Sequence, residues 1–344
     1  MKKVLFATTA LVATASVAAA DVTFSGYGRF GVQYTGSTDA VGAGATAAND
    51  VAAANQAAVN VAGATTAAGL ATALADLIAA NTAVAASAAV AATGSSMDVT
   101  SRLRLQIDMS AESEGGITFG ARTRLQTSEG SAGTGMNGVR FFARSGGVEV
   151  GVGNIFGALE FMPGMYPIDL GLTGLGYDYT AYNFRADAYS SAGNGASGSN
   201  GVEVMYSAGD FSAHVSASDT SDRIAAHFAY KMNGFTFALG AQNSDSATDT
   251  ELAASVGGTF GMASVTLSYA DNGISGDHTV LAGSFDVGAA TKVQAYIADA
   301  DYFTDTSYGI GVHQDLGGGT SIRGGVASLG SGNSRADVGV RFNF

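Results

Sequence analysis

From residue 22 onward the chain repeatedly alternates apolar and polar residues, and this two-residue period restricts its fold more than any other feature. Between Val22 and Tyr34 the even positions are Val22, Phe24, Gly26, Gly28, Phe30, Val32 and Tyr34, and the odd ones are Thr23, Ser25, Tyr27, Arg29, Gly31 and Gln33. An extended strand points successive side chains to opposite faces, so such a segment is a ribbon with one apolar and one polar face. Asp98–Ser110 sets Val99, Leu103, Leu105, Ile107 and Met109 against Thr100, Arg102, Arg104, Gln106 and Asp108. Ile117, Phe119, Ala121 and Leu125 oppose Thr118, Arg122, Arg124 and Gln126 in the next segment, and Ala336, Val338, Val340, Phe342 and Phe344 oppose Arg335, Asp337, Arg341 and Asn343 in the last. A soluble sandwich would hide the apolar face in a core. A membrane barrel would turn it to lipid and fill its interior with polar groups.

Three further features favour the barrel. The first twenty residues read as a secretory signal: Lys2 and Lys3, an apolar stretch from Val4 to Val17, and Ala18-Ala19-Ala20 before Asp21. Turn signals divide the remainder into sixteen strands, from 22–35 to 335–344, an even number as bacterial single-chain barrels require. The composition suits many short strands joined by tight turns, with 49 glycines, only 2 prolines and 13% charged residues. No cysteine is present, so no disulfide framework is available. A formal charge of −13 argues against nucleic acid as a partner. It would suit an interior that weakly favours cations.

The expected fold is therefore all-β: a 16-stranded antiparallel transmembrane barrel over residues 21–344, behind a signal peptide over 1–20. Two segments interrupt the meander. Residues 37–97 are Ala-rich, and their Leu70–Ala92 stretch has high helix propensity. Asp76 and Asn81 would sit badly in hydrocarbon, so the segment reads as a long extracellular first loop rather than a membrane-spanning helix. Residues 155–200 hold both prolines, Pro163 and Pro167, which central strands do not admit, together with Glu160, Asp169, Asp178 and Asp187. A loop of this length inside a compact fold is usually functional.

Arg29, Arg102, Arg104, Arg122, Arg124, Arg140 and Arg144 all fall on the polar parity of the first four strands. An arginine turned to lipid would cost about 2–4 kcal/mol near the midplane, which sets the patch inward. The candidate constriction is thus a basic wall of Arg29, Arg102, Arg104, Arg122, Arg124 and Arg140. Glu160, Asp169 and Asp178 would face it from a third loop folded into the lumen, with a transverse field between them. Asp299, Asp301 and Asp305 form a loop cluster that would hold calcium if they converge, although the Gly and Glu of an EF-hand loop are missing. Gly133-Thr134-Gly135-Met136-Asn137-Gly138 fits a dinucleotide-binding pattern but precedes no helix. No G-x-S-x-G elbow is present, and the four histidines lack metal spacing. Tyr177, Tyr179 and Tyr182 would offer a sugar-stacking surface if they line the constriction, which is the alternative of a substrate-selective channel.

Four motifs then carry a family resemblance. Asp21-Val22-Thr23-Phe24-Ser25-Gly26-Tyr27-Gly28-Arg29-Phe30-Gly31-Val32 resembles the first strand of the general diffusion porins of purple non-sulfur and related α-proteobacteria. Tyr206-Ser207-Ala208-Gly209-Asp210-Phe211-Ser212 resembles their turn after the constriction loop, and Asp315-Leu316-Gly317-Gly318-Gly319-Thr320-Ser321-Ile322 their last periplasmic turn. Asp337-Val338-Gly339-Val340-Arg341-Phe342-Asn343-Phe344 is similar to their closing strand with its terminal aromatic. The resemblance spans nearly all of the chain after the signal, except residues 37–97. It implies an outer-membrane channel for passive diffusion of ions and small hydrophilic solutes, not an enzyme. It also implies three barrels per assembly, a third loop that narrows each pore, acids there that can hold calcium, and lipid and lipopolysaccharide as surroundings.

Overall fold

The computed structural model describes residues 20–36, 95–130, 135–183, 186–191 and 198–344, with scattered positions between 53 and 80. The signal-peptide segment, the motif glycine at 133 and most of the Ala-rich stretch lie outside the described residues. Seventeen strand segments follow in chain order: β1 (Asp21–Thr35), β2 (Ser96–Glu112), β3 (Thr118–Ser128), β4 (Gly135–Met136), β5 (Arg140–Ser145), β6 (Val148–Asn154), β7 (Asn200–Ala208), β8 (Phe211–Ser218) and β9 (Arg223–Met232). Then come β10 (Phe235–Asn243), β11 (Glu251–Phe260), β12 (Ala263–Asp271), β13 (Asp277–Asp286), β14 (Thr291–Ala300), β15 (Ser307–Gly317), β16 (Thr320–Ser328) and β17 (Ser334–Asn343). All pairings are antiparallel, and β17 pairs back onto β1 from Tyr27↔Asn343 to Thr35↔Arg335. Both β4 and β5 pair with β3 and share one place in the wall, so the closed barrel has 16 strands. Closure leaves no free strand edge, a condition for spanning hydrocarbon with strands. The strand expected over 138–145 is found as β5, with the two-residue β4 as an additional pairing ahead of it, and the Ala-rich insertion ends sooner than expected, because Ser96 and Met97 already pair with Thr35 and Tyr34.

Tight turns close one end of the barrel. Asn233 (φ 52°) and Gly234 (φ 82°) join β9 to β10 with both residues left-handed, the conformation whose twist matches a two-residue hairpin. The outer face is apolar, with Phe24, Phe30, Phe119, Phe141, Ile224, Phe228, Leu239 and Leu267 all exposed. These side chains form the lipid-facing belt. Among the described residues no helix is long and apolar enough to cross a membrane, so the crossing is made by strands.

One outward row departs from this exposure. Val338, Val32 and Val99 are successive partners across β17, β1 and β2, and they are 7%, 37% and 72% exposed. Val338 is covered by Ala57, Val61, Ala73 and Leu77 of the Ala-rich insertion. The described part of that insertion therefore packs on the outside of the barrel.

The interior is divided. The described residues between 155 and 199 turn inward, and Leu159, Met162, Met165, Leu170, Leu175 and Tyr179 are buried against wall residues of β9 to β16. The wall there is built of small side chains, Ala225, Ala229, Ala238, Ala253, Ala270, Ala282, Ala298 and Ala327. Small inward residues leave room for the loop's larger ones, and the contact removes apolar surface from water at about 25 cal/mol per Å². Hydroxyls of the wall then hold the loop backbone: Ser255 Oγ donates to Pro163 O (2.6 Å) and Ser268 Oγ to Gly164 O (2.7 Å). The loop thus lines the lumen along β9 to β16 and also reaches β1 at Leu172 and β3 at Tyr189 and Ser191.

Candidate functional site: a basic wall facing the inward loop

Barrel closure determines which arginines share a wall. Arg29 on β1 is the Cα partner of Arg102 on β2 and of Arg341 on β17, so three guanidinium groups stand on one rung. The next rung is Asn343, Tyr27, Arg104 and Gln126, and beyond it Arg124 on β3 pairs with Gln106. Directly opposed like charges destabilise a sheet. Here the side chains that orient them are mostly neutral. Arg102 Nε donates to Ser128 Oγ (3.1 Å), Arg104 Nε to Gln126 Oε1 (2.7 Å) and Arg124 Nε to Gln106 Oε1 (2.8 Å). Arg29 Nη1 donates to Leu172 O (2.9 Å) at the inward loop. Neutral acceptors fix the side chains without cancelling their charge.

Aromatic rings add to the packing. The Arg341 and Arg104 guanidinium carbons lie 4.2 and 5.3 Å from the Tyr27 ring centre, and that of Arg124 lies 4.6 Å from Tyr189. Each falls within cation–π range. Tyr27 therefore separates two charged groups from opposite neighbouring strands.

Two of the expected wall arginines are differently employed. Arg122 Nε is 2.6 Å from Asp108 Oδ1, so a carboxylate of the adjacent strand compensates it. Arg140 departs from the expectation that it lines the lumen. It is only 2% exposed, pairs with Glu203 (2.5 Å) and Glu149 (2.7 Å), and lies 3.9 Å from the Phe156 ring centre. Glu203 also meets His214 Nε2 (2.9 Å) and accepts from the backbone N–H of Phe156 (3.0 Å) and Gly157 (3.2 Å). Burying a charge requires a paired, hydrogen-bonded site, and the root of the inward loop supplies one. Arg140 anchors that root.

The three loop acids also separate. Asp169, 51% exposed, pairs with Arg323 (2.6 Å) on β16 and Arg341 (3.1 Å) on β17. Asp178 Oδ2 accepts from Ser307 Oγ (2.8 Å) and from the Gly330 N–H (2.9 Å), which ties the loop to the wall. Glu160 Oε2 accepts from the phenols of Tyr166 (2.8 Å) and Tyr182. Burial first, then the Glu160 charge, keeps both phenols protonated well above the ordinary tyrosine range. Of the three, only Asp169 meets arginine, and its partners come from the strands that close the barrel.

Other groups emerge only with the fold in place. Asp337 on β17 accepts from Leu172 N–H (2.9 Å), Thr173 N–H (2.7 Å) and Thr173 Oγ1 (2.7 Å). Asp187 in the loop pairs with Arg223 (2.6 Å) on β9. The alternation puts Arg341 on the polar face of the last strand, but the basic patch expected from the sequence covers only the first four strands and omits both Arg323 and Arg341. Their place beside it follows from the β17–β1 contact. Asp299, Asp301 and Asp305 do not converge: among the described residues no group of three or more carboxylates, histidines or cysteines could hold a metal. Asp301 instead accepts from the Asp277 N–H (2.9 Å), and Asp299 from Thr306 Oγ1 (3.4 Å). The calcium expectation at that cluster is withdrawn.

The comparisons with known proteins agree with this architecture. A family model described as Gram-negative porin matches residues 7–334. The porin of Fuscovulum blasticum is 32% identical over 269 residues, covering 72% of this chain and 91% of that one. The porin of Rhodobacter capsulatus is 31% identical over 296 residues, covering 73% and 95%. Two solved variants of Rh. blastica porin, each 26% identical, superpose with TM-scores of 0.70 and 0.69 and cover 94% of this chain and all of theirs. A closed barrel with an apolar belt, a charged lumen and an inward loop, matched by the family model along nearly its whole length, belongs to the Gram-negative porin family and forms an outer-membrane channel for passive diffusion.

Proposed function

We propose that the selective part of this channel is the gap between the uncompensated guanidinium groups of Arg29, Arg102, Arg104 and Arg124 and the loop edge that carries Asp169. Arg122 contributes less, because Asp108 neutralises it, and Arg140 contributes through the loop root. Glu160 and Asp178 instead line a cavity with Tyr166, Tyr177 and Tyr182 and bond phenols, a serine and a backbone N–H rather than the arginines. The observation that carries this reading is the set of neutral acceptors, Ser128, Gln126, Gln106 and the Leu172 carbonyl, which orient four charges without cancelling them; Arg102, Arg104 and Arg124 are half-buried and reachable, whereas the buried Arg29 acts through its field.

Ion selectivity is then weak. A chain of net charge −13 draws cations to the mouth, while the basic ladder opposes them at the narrows. Small hydrophilic solutes pass without a dedicated saturable site for one sugar. The chain acts as a channel and not as an enzyme, is exported by residues 1–20, and assembles as three barrels among lipid and lipopolysaccharide, as its family resemblance implies. A planar-bilayer recording with neutral solutes of graded size tests the pore. Ohmic conductance with a sharp size cutoff supports the reading, whereas saturation by one sugar at low concentration overturns it. Chemical cross-linking in detergent, giving a ladder that stops at three, tests the assembly.

A further inference from the structure

One cavity near the loop end of the barrel is chemically unlike the rest of the lumen. It measures about 520 Å³ and is lined by Glu160, Tyr166, Tyr177, Asp178, Tyr182 and Tyr302, among others. Tyr166 and Tyr177 meet edge to face, with centroids 6.4 Å apart and planes at 83°. Tyr166 and Tyr182 do the same at 6.2 Å and 86°. Three rings at near right angles form a corner and not a flat platform. Both Tyr166 and Tyr182 donate their hydroxyls to Glu160, which leaves the ring faces and the carboxylate charge as what the corner offers.

The chain is shaped to present this corner. Leu175 (φ 43°) and Tyr177 (φ 65°) are both left-handed non-glycine residues, a conformation kept only where surrounding structure enforces it. A Cβ at Gly174 would stand 2.3 Å from the Tyr177 ring, so glycine there is what lets the ring lie down. Thr180, 8% exposed, also lines the cavity, and its buried hydroxyl has no partner. An unused polar group in the cavity's own lining points to a ligand or an ordered water.

We infer that this corner is a transit subsite for small organic ammonium ions, quaternary or protonated amines, held by the faces of Tyr166, Tyr177 and Tyr182 and by the charge of Glu160. An ammonium ion with apolar substituents gains from ring quadrupoles in a way that strongly hydrated potassium does not. Anions are repelled by Glu160 and Asp178. A neutral sugar would prefer a single flat ring face as a platform, whereas these rings meet edge to face beside a carboxylate. The inference rests on the chain being an open channel, and the site slows such cations without excluding other solutes.

The test is single-channel recording of the full barrel in tetramethylammonium chloride, with potassium chloride recorded on the same channel as reference. The expected result is a tetramethylammonium current that saturates in the millimolar range while the potassium current stays linear. Tyr166→Leu should raise the half-saturating concentration about fivefold, and Tyr166→Phe should keep most of the wild-type behaviour, because the ring face remains. Tyr177→Leu, at an exposed ring, serves if Tyr166→Leu fails to fold. A linear tetramethylammonium current overturns the inference, and so does saturation that neither leucine variant alters. Partial block by maltose that is sensitive to these variants, without tetramethylammonium saturation, overturns it in favour of a sugar platform. Loss of the potassium current itself would instead contradict the channel reading.

Discussion

Arg29 stands directly across from Arg102 in the β1–β2 register, yet neither has a carboxylate partner among the described ion pairs. In a buried site two unpaired guanidinium groups this close would be prohibitive, whereas in water a pair of unit charges about 4 Å apart interacts by only about 1 kcal/mol. Arg29 is only 8% exposed and rests on the Leu172 carbonyl, while Arg102 is half-buried, so water reaches the rung from the Arg102 side and its repulsion becomes attraction for any anion that enters.

Replacing both Arg102 and Arg104 by alanine should raise the cation-to-anion permeability ratio. Two full charges leave the lumen, and one such charge at contact distance in water is worth about a fivefold change in ion occupancy. A total change of about two- to fivefold is expected at low salt, shrinking toward unity near 1 M, where screening acts within about 3 Å. The reversal potential in a salt gradient reads this directly. An unchanged value would remove these residues from the narrows.

Arg140 and Glu203 make the contrasting case of arginine as a structural part. Glu203→Ala leaves Arg140 and His214 without their shared carboxylate and leaves the Phe156 and Gly157 N–H groups unpaired. Breaking a buried pair by removing one partner costs about 3–5 kcal/mol. The thermal midpoint in detergent should fall, and residues 155–199 should become sensitive to protease. Glu203→Gln retains an acceptor and should lose less. Reversal potential should barely move in the Gln variant, because these groups are sealed from the lumen.

Asp337 holds the middle of the loop. Its two oxygens take three donors from Leu172 and Thr173, next to the carbonyl that Arg29 reaches. Asp337→Ala should release about 1.5–3 kcal/mol of local stabilisation, the range for a hydrogen bond to a charged group. The measurable result is low-frequency current noise at unchanged barrel stability. A quiet channel would mean that apolar seating alone fixes the loop.

Deleting residues 37–95 should leave conductance nearly intact, since the described part of the insertion packs on the outer wall at Val338. The same deletion should expose that valine. A cysteine at position 338 should react slowly with a lipid-soluble maleimide in the full chain and rapidly after deletion. Equal rates would place the insertion elsewhere.

Much of this was legible before folding. Period-two patterning located the strands to within a few residues, because lipid on one side and water on the other penalise the wrong face at every step. The inward parity of Arg29, Arg102, Arg104 and Arg124 followed from the same penalty. Closure was harder to use: β17 lies beside β1 only in space, so the role of Arg341 next to Arg29 was missed. The alanines of β9 to β14 gave a strand signal, but nothing local marks a small inward residue as a seat for Leu159 or Met165. The fates of Glu160 and Asp178 depended on which phenols and hydroxyls the loop met on arrival, and spacing does not encode that.

Asp169→Asn should move selectivity opposite to the arginine variants. Asp169 pairs with both Arg323 and Arg341, so its loss frees two cations and removes one anion beside the ladder. An exposed pair contributes about 0–1 kcal/mol to stability, so folding should be almost unaffected while the field changes. The reversal potential should shift toward anions at low ionic strength. Adding Arg341→Gln to Asp169→Asn should bring it partly back, because one of the two freed charges is then absent. A shift of the same sign for Asp169→Asn and for the double alanine variant at Arg102 and Arg104 would mean that pore size, and not the charge of these residues, controls which ions pass.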